Sequence, residues 1–145
     1  MKPISTGKTR FEIPFDNGDK CILEFNPTDA VFMHKYGTLH KKVGEVFLEY
    51  TEKRKGATDI DEVKLVEDST SKIKALFDEV FGKGAGDGIF RYCSPVSIVD
   101  GKYYPFYFLA EFEPDIVGAI NATTKESAEK LKKIKEKINK SSATK

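Results

Sequence analysis

LFDEVFGKGAGDGIFRYCSPVSIVDG, residues 76–101, decides how the rest of the chain is read. Apolar residues Ile73, Leu76, Phe77, Val80 and Phe81 recur at helical spacing, so a helix is expected to end at Gly82 as its C-cap. Gly84, Gly86 and Gly88 then read as a flexible turn. A phosphate cradle needs the opposite order, a strand before the glycines and a helix after them, so that backbone N–H groups converge on the anion. Here the helix comes first, and no Lys-Ser or Lys-Thr closes the loop. Gly7-Lys8-Thr9 fails in the same way, since the first glycine of a P-loop would fall at Lys2 and the segment precedes a strand.

Working outward, Phe11, Ile13 and Phe15 alternate with Glu12 and Pro14, and Cys21, Leu23 and Phe25 resume the alternation beyond Asp16-Asn17-Gly18-Asp19. This predicts a β-hairpin with a type I′ turn at Asn17-Gly18, and Pro14 places its strand at an edge. Asn26, Pro27 at the first helical position and Asp29 predict a helix start. Ala30, Met33, Tyr36, Val43, Phe47 and Tyr50 carry that helix to about Lys55, with a bend or close packing expected at Gly37 and Gly44. A second helix is expected over Ile60–Phe81, with Val63, Val66, Ile73, Leu76, Phe77 and Val80 toward the core.

Asp87 is expected to cap a short turn bearing Ile89 and Phe90, and Ser94–Asp100 to be an irregular connection. The next helix opens near Tyr103 with Pro105 in its first turn, and Pro114 is expected to kink or divide it. Thr123 and Glu126 read as a capping box for a last helix with the narrow apolar stripe Ala128, Leu131, Ile134, Ile138. The fold class is therefore α+β: an N-terminal hairpin packed on a small helical bundle with a C-terminal lysine-rich helix. Residues 1–122 are expected to form one compact domain, and 123–145 a basic helix with a frayed tail.

The order of these pieces resembles the tail assembly chaperones of long-tailed phages and prophages of Gram-positive bacteria. The resemblance rests on Asp78-Glu79-Val80-Phe81-Gly82 before the glycines and Ser94-Pro95-Val96-Ser97-Ile98-Val99-Asp100-Gly101 after them. It extends to Phe25-Asn26-Pro27-Thr28-Asp29 and to the aromatic run Tyr103, Tyr104, Phe106, Tyr107, Phe108, Leu109, Phe112. It spans roughly residues 10–120. The resemblance implies a non-catalytic protein of the host cytoplasm, not expected in the mature virion. Its implied partners are the tape measure protein, which it keeps soluble, and the tail tube protein.

Composition agrees with a soluble, one-domain chain. At 145 residues it is long enough to bury a core without staples, and its net charge is +1. Residues 125–145 hold eight lysines and three glutamates, a local +5, which leaves the first 124 residues at −4. Cys21 and Cys93 lie outside any CxxC pair and fit a reduced, cytoplasmic chain, although their spacing leaves a disulfide open. No apolar run approaches the ~20 residues of a membrane span, and no membrane partner is expected.

No catalytic, cofactor or metal set is expected. His34 and His40 are six residues apart, about 120° from facing together on a helix, and lack paired cysteine or further histidine ligands. Asp59, Asp61, Glu62, Glu67 and Asp68 lack the oxygen-ligand spacing of a calcium loop and complement a helix start instead. Six aromatics in residues 103–112 exceed what one helix face buries, and read either as core with two tyrosines at its wet margin or as an apolar groove for an amphipathic helix. On exposure alone, client contact is assigned to Tyr103, Tyr104, Tyr107, Phe108 and the stripe Leu131, Ile134, Ile138. An alternative reading is a small nucleic-acid-associated or regulatory protein that sets the Lys125–Lys145 arm on phosphates. That arm has no arginine or interleaved aromatic, and lysine alone supplies mainly non-specific, salt-sensitive binding.

Overall fold

The computed structural model describes residues 1–143, with the side chains of 126–128, 130–131 and 138–143 left outside the described residues. An N-terminal hairpin of β1 (Thr9–Pro14) and β2 (Lys20–Phe25) is followed by helices α1 (Ala30–Arg54), α2 (Asp59–Phe81) and α3 (Ala85–Ile89). A second, short hairpin, β3 (Ile98–Val99) and β4 (Lys102–Tyr103), leads into α4 (Tyr104–Ala143). The fold is α+β, a hairpin laid on helices with a lysine-rich C-terminal helix. Two compact units are present, Met1–Glu111 and Phe112–Lys145, and the boundary expected after residue 122 falls within the second.

Alternation decides the first hairpin. Antiparallel pairing sets Phe11 against Leu23 and Ile13 against Cys21 on the inner face, while Arg10 faces Glu24 and Glu12 faces Ile22 outside. The turn is not the expected type I′. Gly18 is at φ 88°, whereas Asn17 is not at positive φ. Phe15 N–H donates to Asp19 O at 2.8 Å and Gly18 N–H to Phe15 O at 3.2 Å. That is a three-residue loop closed by a left-handed glycine, a geometry that asks for one positive-φ position and not two.

Helix α1 begins three residues later than its proline suggested. Asn26 Oδ1 accepts both the backbone N–H and the hydroxyl of Thr28, at 3.0 and 2.8 Å, which holds Pro27 in a buried turn ahead of the helix. Asp29 is the N-cap, its carboxylate accepting Val31 N–H at 3.0 Å. The buried stripe is Phe32, Leu39, Val43, Phe47 and Tyr50, so Met33 is exposed and Phe32 takes the place expected for it. A Cβ at Gly37 or Gly44 would meet nothing within 4 Å, so close packing does not explain either glycine.

Residues 55–58 turn the chain back, and Thr58 caps α2 by accepting Asp61 N–H at 3.3 Å. Asp59, Asp61 and Glu62 fill its first turn, where they complement the helix dipole as expected. The two helices run antiparallel, since Arg54 pairs with Glu62, Lys72 with Glu49, and Phe32 with Phe81. Val63 was expected in the core and is exposed. The buried stripe is Ser69, Ile73, Phe77, Val80 and Phe81, all in the C-terminal part of α2, and Val63 lies near the opposite end of the helix. Phe77 and Ile73 are fully buried and form the centre of the first unit, each burial stabilising by about 1.5–3 kcal/mol.

The glycine segment forms helix caps and a short helix in place of a turn. Gly82 is the C-cap of α2 at φ 107°, as expected, but Gly86 and Gly88 are inside α3. Asp87 is not the cap of that helix; Gly84, in the left-handed region, is. Asp87 pairs with Lys74 at 3.2 Å instead. A Cβ on Gly86 would sit 2.6 Å from the carbonyl oxygen of Lys74 and 2.8 Å from its Cα, so only glycine lets α3 lie against α2.

The connection expected over 94–100 contains β3, which pairs with β4 in the register Ile98 with Tyr103 and Val99 with Lys102. Asp100 at φ 53° and Gly101 at φ 75° form the two positive-φ positions of a tight hairpin turn. Helix α4 then opens at Tyr104 with Pro105 in its first turn, and its helical assignment continues through Pro114, so the proline does not split it into two helices. Thr123 is therefore mid-helix and caps no new one. Its hydroxyl donates back to Ala119 O at 2.9 Å, an arrangement that satisfies the side chain inside a helix. Glu126 and the stripe residues Ala128, Leu131 and Ile138 have side chains outside the described residues, and so does most of the tail expected to fray.

Candidate functional site

The aromatic run divides by helical position. Tyr104 and Phe108 are buried, Phe108 against Phe77 (centroids 6.1 Å) and Tyr104 against Phe90 (5.9 Å). Their side chains are engaged within the chain, which does not match the exposure expected of them as client contacts. Burial first, with nearby ionisable groups adding, pushes the Tyr104 hydroxyl above its usual range, so it stays neutral. Tyr103, Phe106 and Tyr107 are half-exposed. Tyr103 stacks on Phe47 with centroids 4.0 Å apart, and Phe106 leans on Phe47 at 5.6 Å and on the ring of exposed His40 at 4.6 Å. Phe106 and His40 were not among the expected contacts; their partnership joins positions far apart in the chain, and no local pattern announces it.

In the second unit, Ile134 is exposed, as are Lys125, Lys132, Lys133, Lys135 and Lys137. Leu131 and Ile138, the other expected stripe contacts, have side chains outside the described residues.

A further cluster ties the first hairpin loop to the segment after α3. Asp19 Oδ2 accepts the Tyr92 hydroxyl and, at 3.1 Å, the Arg91 guanidinium. Phe15 meets the edge of Tyr92 at 5.2 Å, and the Arg91 guanidinium lies 5.2 Å from the Tyr92 ring centroid. The Tyr92 hydroxyl, then the Lys20 backbone N–H and more weakly Arg91, hold the Asp19 carboxyl below its usual range. The same hydrogen bond raises the Tyr92 hydroxyl. These residues are over 70 positions apart, and nothing in either segment signals the pairing.

Chemically, the surfaces offer contact. Among the described residues no three His, Cys, Asp or Glu side chains come together as metal ligands. His34 and His40 are both exposed. Cys21 and Cys93 are free thiols. Burial raises the Cys21 thiol above its usual range and so lowers its thiolate fraction. Gly88 covers it so closely that a Cβ there would lie 3.1 Å from Cys21 Sγ. An open groove of about 490 Å³ runs between β2 and the glycine segment, with Leu23, Phe81 and Ala85 in its lining. Among the described residues no helix is long and apolar enough to cross a membrane.

A family model described as a family of unknown function (DUF6673) matches residues 17–97, more than half of the chain, and the protein belongs to that family. No curated protein and no solved structure matches it.

Proposed function

We propose that this protein is a tail assembly chaperone of a long-tailed phage or prophage, a non-catalytic protein that binds the tape measure protein in the host cytoplasm and assists tail tube assembly around it. The observation that carries the reading is the succession of elements. A hairpin ends at Phe25, a Pro27-Thr28-Asp29 step leads into long helices, and a glycine segment and the Asp100-Gly101 turn precede an aromatic-rich helix start. The resemblance to tail assembly chaperones rests on this order. The half-exposed strip of Tyr103, Phe106 and Tyr107 supports it, because reversible cover of an amphipathic client needs apolar surface that stays wet in the free protein.

Co-expression with the tape measure protein, which this reading expects to be a very long helical protein encoded immediately downstream, tests the reading. The expected result is a client that becomes soluble and co-elutes, and that is lost when Phe106 and Tyr107 are replaced by Ser in a variant that still folds. A client whose solubility is indifferent to the protein sinks the proposal.

A further inference from the structure

Counted along α4 in sevens, Val117, Thr124, Leu131 and Ile138 occupy a positions, and Ile120, Ser127 and Ile134 occupy d positions. Five of these seven positions are apolar, all but Thr124 and Ser127, at the three-and-four spacing of a coiled-coil seam. Of the seam residues with described side chains, Val117 at 47%, Ile134 at 53% and Thr124 are exposed, and Ile120 is half-buried. The charges beside the seam have one sign. Lys130 and Lys137 stand at g and Lys135 at e, while Glu126, Glu129 and Glu136 all fall at c or f, away from it.

This one-sided pattern selects the occupant. In a parallel pair of two copies, g of one strand meets e of the next heptad, which sets Lys130 against Lys135; in an antiparallel pair g meets g, again lysine against lysine. Like charges in both orientations disfavour a second copy, whereas carboxylates at e and g of another helix would meet all three lysines. Thr124 and Ser127 are polar residues at seam positions, and polar residues there lower the stability of a coiled coil.

We propose that residues 117–138 form one strand of a two-helix coiled coil whose other strand is a helix of a different protein with Glu or Asp at its own e and g positions. The inference rests on the chaperone reading only for the identity of that protein, and its chemistry is testable separately.

Two four-heptad peptides with Leu at a and d, one with Glu and one with Lys at e and g, are titrated against the full-length protein by fluorescence anisotropy. The Glu peptide is expected to bind at least about tenfold tighter than the Lys peptide, more weakly as salt rises, and to be lost with Ile134→Asp. Reversing charge at Lys130, Lys135 and Lys137 to Glu is expected to exchange the two peptides' order. Equal binding of both peptides, no binding of the Glu peptide, or an Ile134→Asp variant that binds as the parent does would overturn the proposal. So would self-association in sedimentation that Ile134→Asp abolishes, or tighter binding to phosphatidylglycerol vesicles or a DNA duplex than to the Glu peptide. Glu-peptide binding with failure of the co-expression test would leave the seam standing and remove the chaperone reading; the reverse result would do the opposite.

Discussion

The carboxylate of Asp78 accepts the backbone N–H of Gly86 at 2.7 Å, so a side chain in the last turn of α2 satisfies a donor in the first turn of α3. The two residues are the two halves of one joint. Gly86 lies flat on the Lys74 backbone, and Asp78 pins it there.

Gly86→Ala would place a methyl group 2.6 Å from a backbone oxygen that has no rotamer to yield. Overpacking of this kind costs about 1–3 kcal/mol and outweighs the gain alanine usually brings to a helix. Asp78→Ala leaves the Gly86 N–H without its partner, at a cost of about 1–2 kcal/mol. Thermal denaturation should rank both variants below the parent. Unchanged melting in Gly86→Ala would mean that α3 does not lie against α2 as described.

Gly44 and Gly101 should respond to alanine in opposite directions. Gly44 is mid-helix with open space around its missing Cβ, so Gly44→Ala is expected to stabilise by about 0.5–1 kcal/mol. Gly101 is at φ 75°, where a Cβ costs roughly 1–2 kcal/mol. Urea unfolding of the two variants reads both signs at once.

Phe77→Ala should cost about 3–5 kcal/mol through cavity formation, because its ring is fully buried among Phe81, Phe90 and Phe108. Val63→Ala, at an exposed position of the same helix, is expected within about 0.5 kcal/mol of the parent. A large loss at Val63 would revive the stripe read from periodicity alone.

The Asp19 carboxyl is held below its ordinary value by the Tyr92 hydroxyl above all. A carboxyl depressed on folding contributes stability that is present above its unfolded value and lost as pH falls through the folded one. Tyr92 is raised by the same bond, so its share is present below the unfolded phenol value and lost as pH climbs through the folded one. In Tyr92→Phe the Asp19 titration, followed by carboxyl carbon NMR, should move upward and the acid-side loss of stability should shrink. An unmoved titration would show that the hydroxyl does not donate to Asp19.

Cys21 is buried and raised, and Cys93 is half-exposed. Native protein treated with an aromatic disulfide reagent at neutral pH should show one fast and one slow thiol, both becoming fast in denaturant. Mass mapping should assign the slow one to Cys21.

Much of the fold could be read locally. Alternation about Asn17-Gly18 and three-and-four spacing from Ile73 to Phe81 depend on neighbours within one or two turns of chain, and both appear where expected. The β3–β4 hairpin was read as an irregular connection, although Asp100-Gly101 between Ile-Val and Lys-Tyr is a local turn signal. The candidate surface was only half legible. The aromatic run was visible, but which rings face water was not.

Sequence by itself determined the first hairpin, the two long helices after it, and the order hairpin, helices, glycine segment, aromatic helix. These follow from backbone preference and side-chain period, which act over a few residues. Tertiary structure alone decided that Phe32 and not Met33 enters the core, that Gly86 is required by the Lys74 backbone, that Asp19 meets Tyr92, and that Tyr104 and Phe108 are interior while Tyr103 and Tyr107 stay at the margin. Each of these depends on which surface a distant element brings near, and that is settled only when the whole apolar set competes for one buried volume.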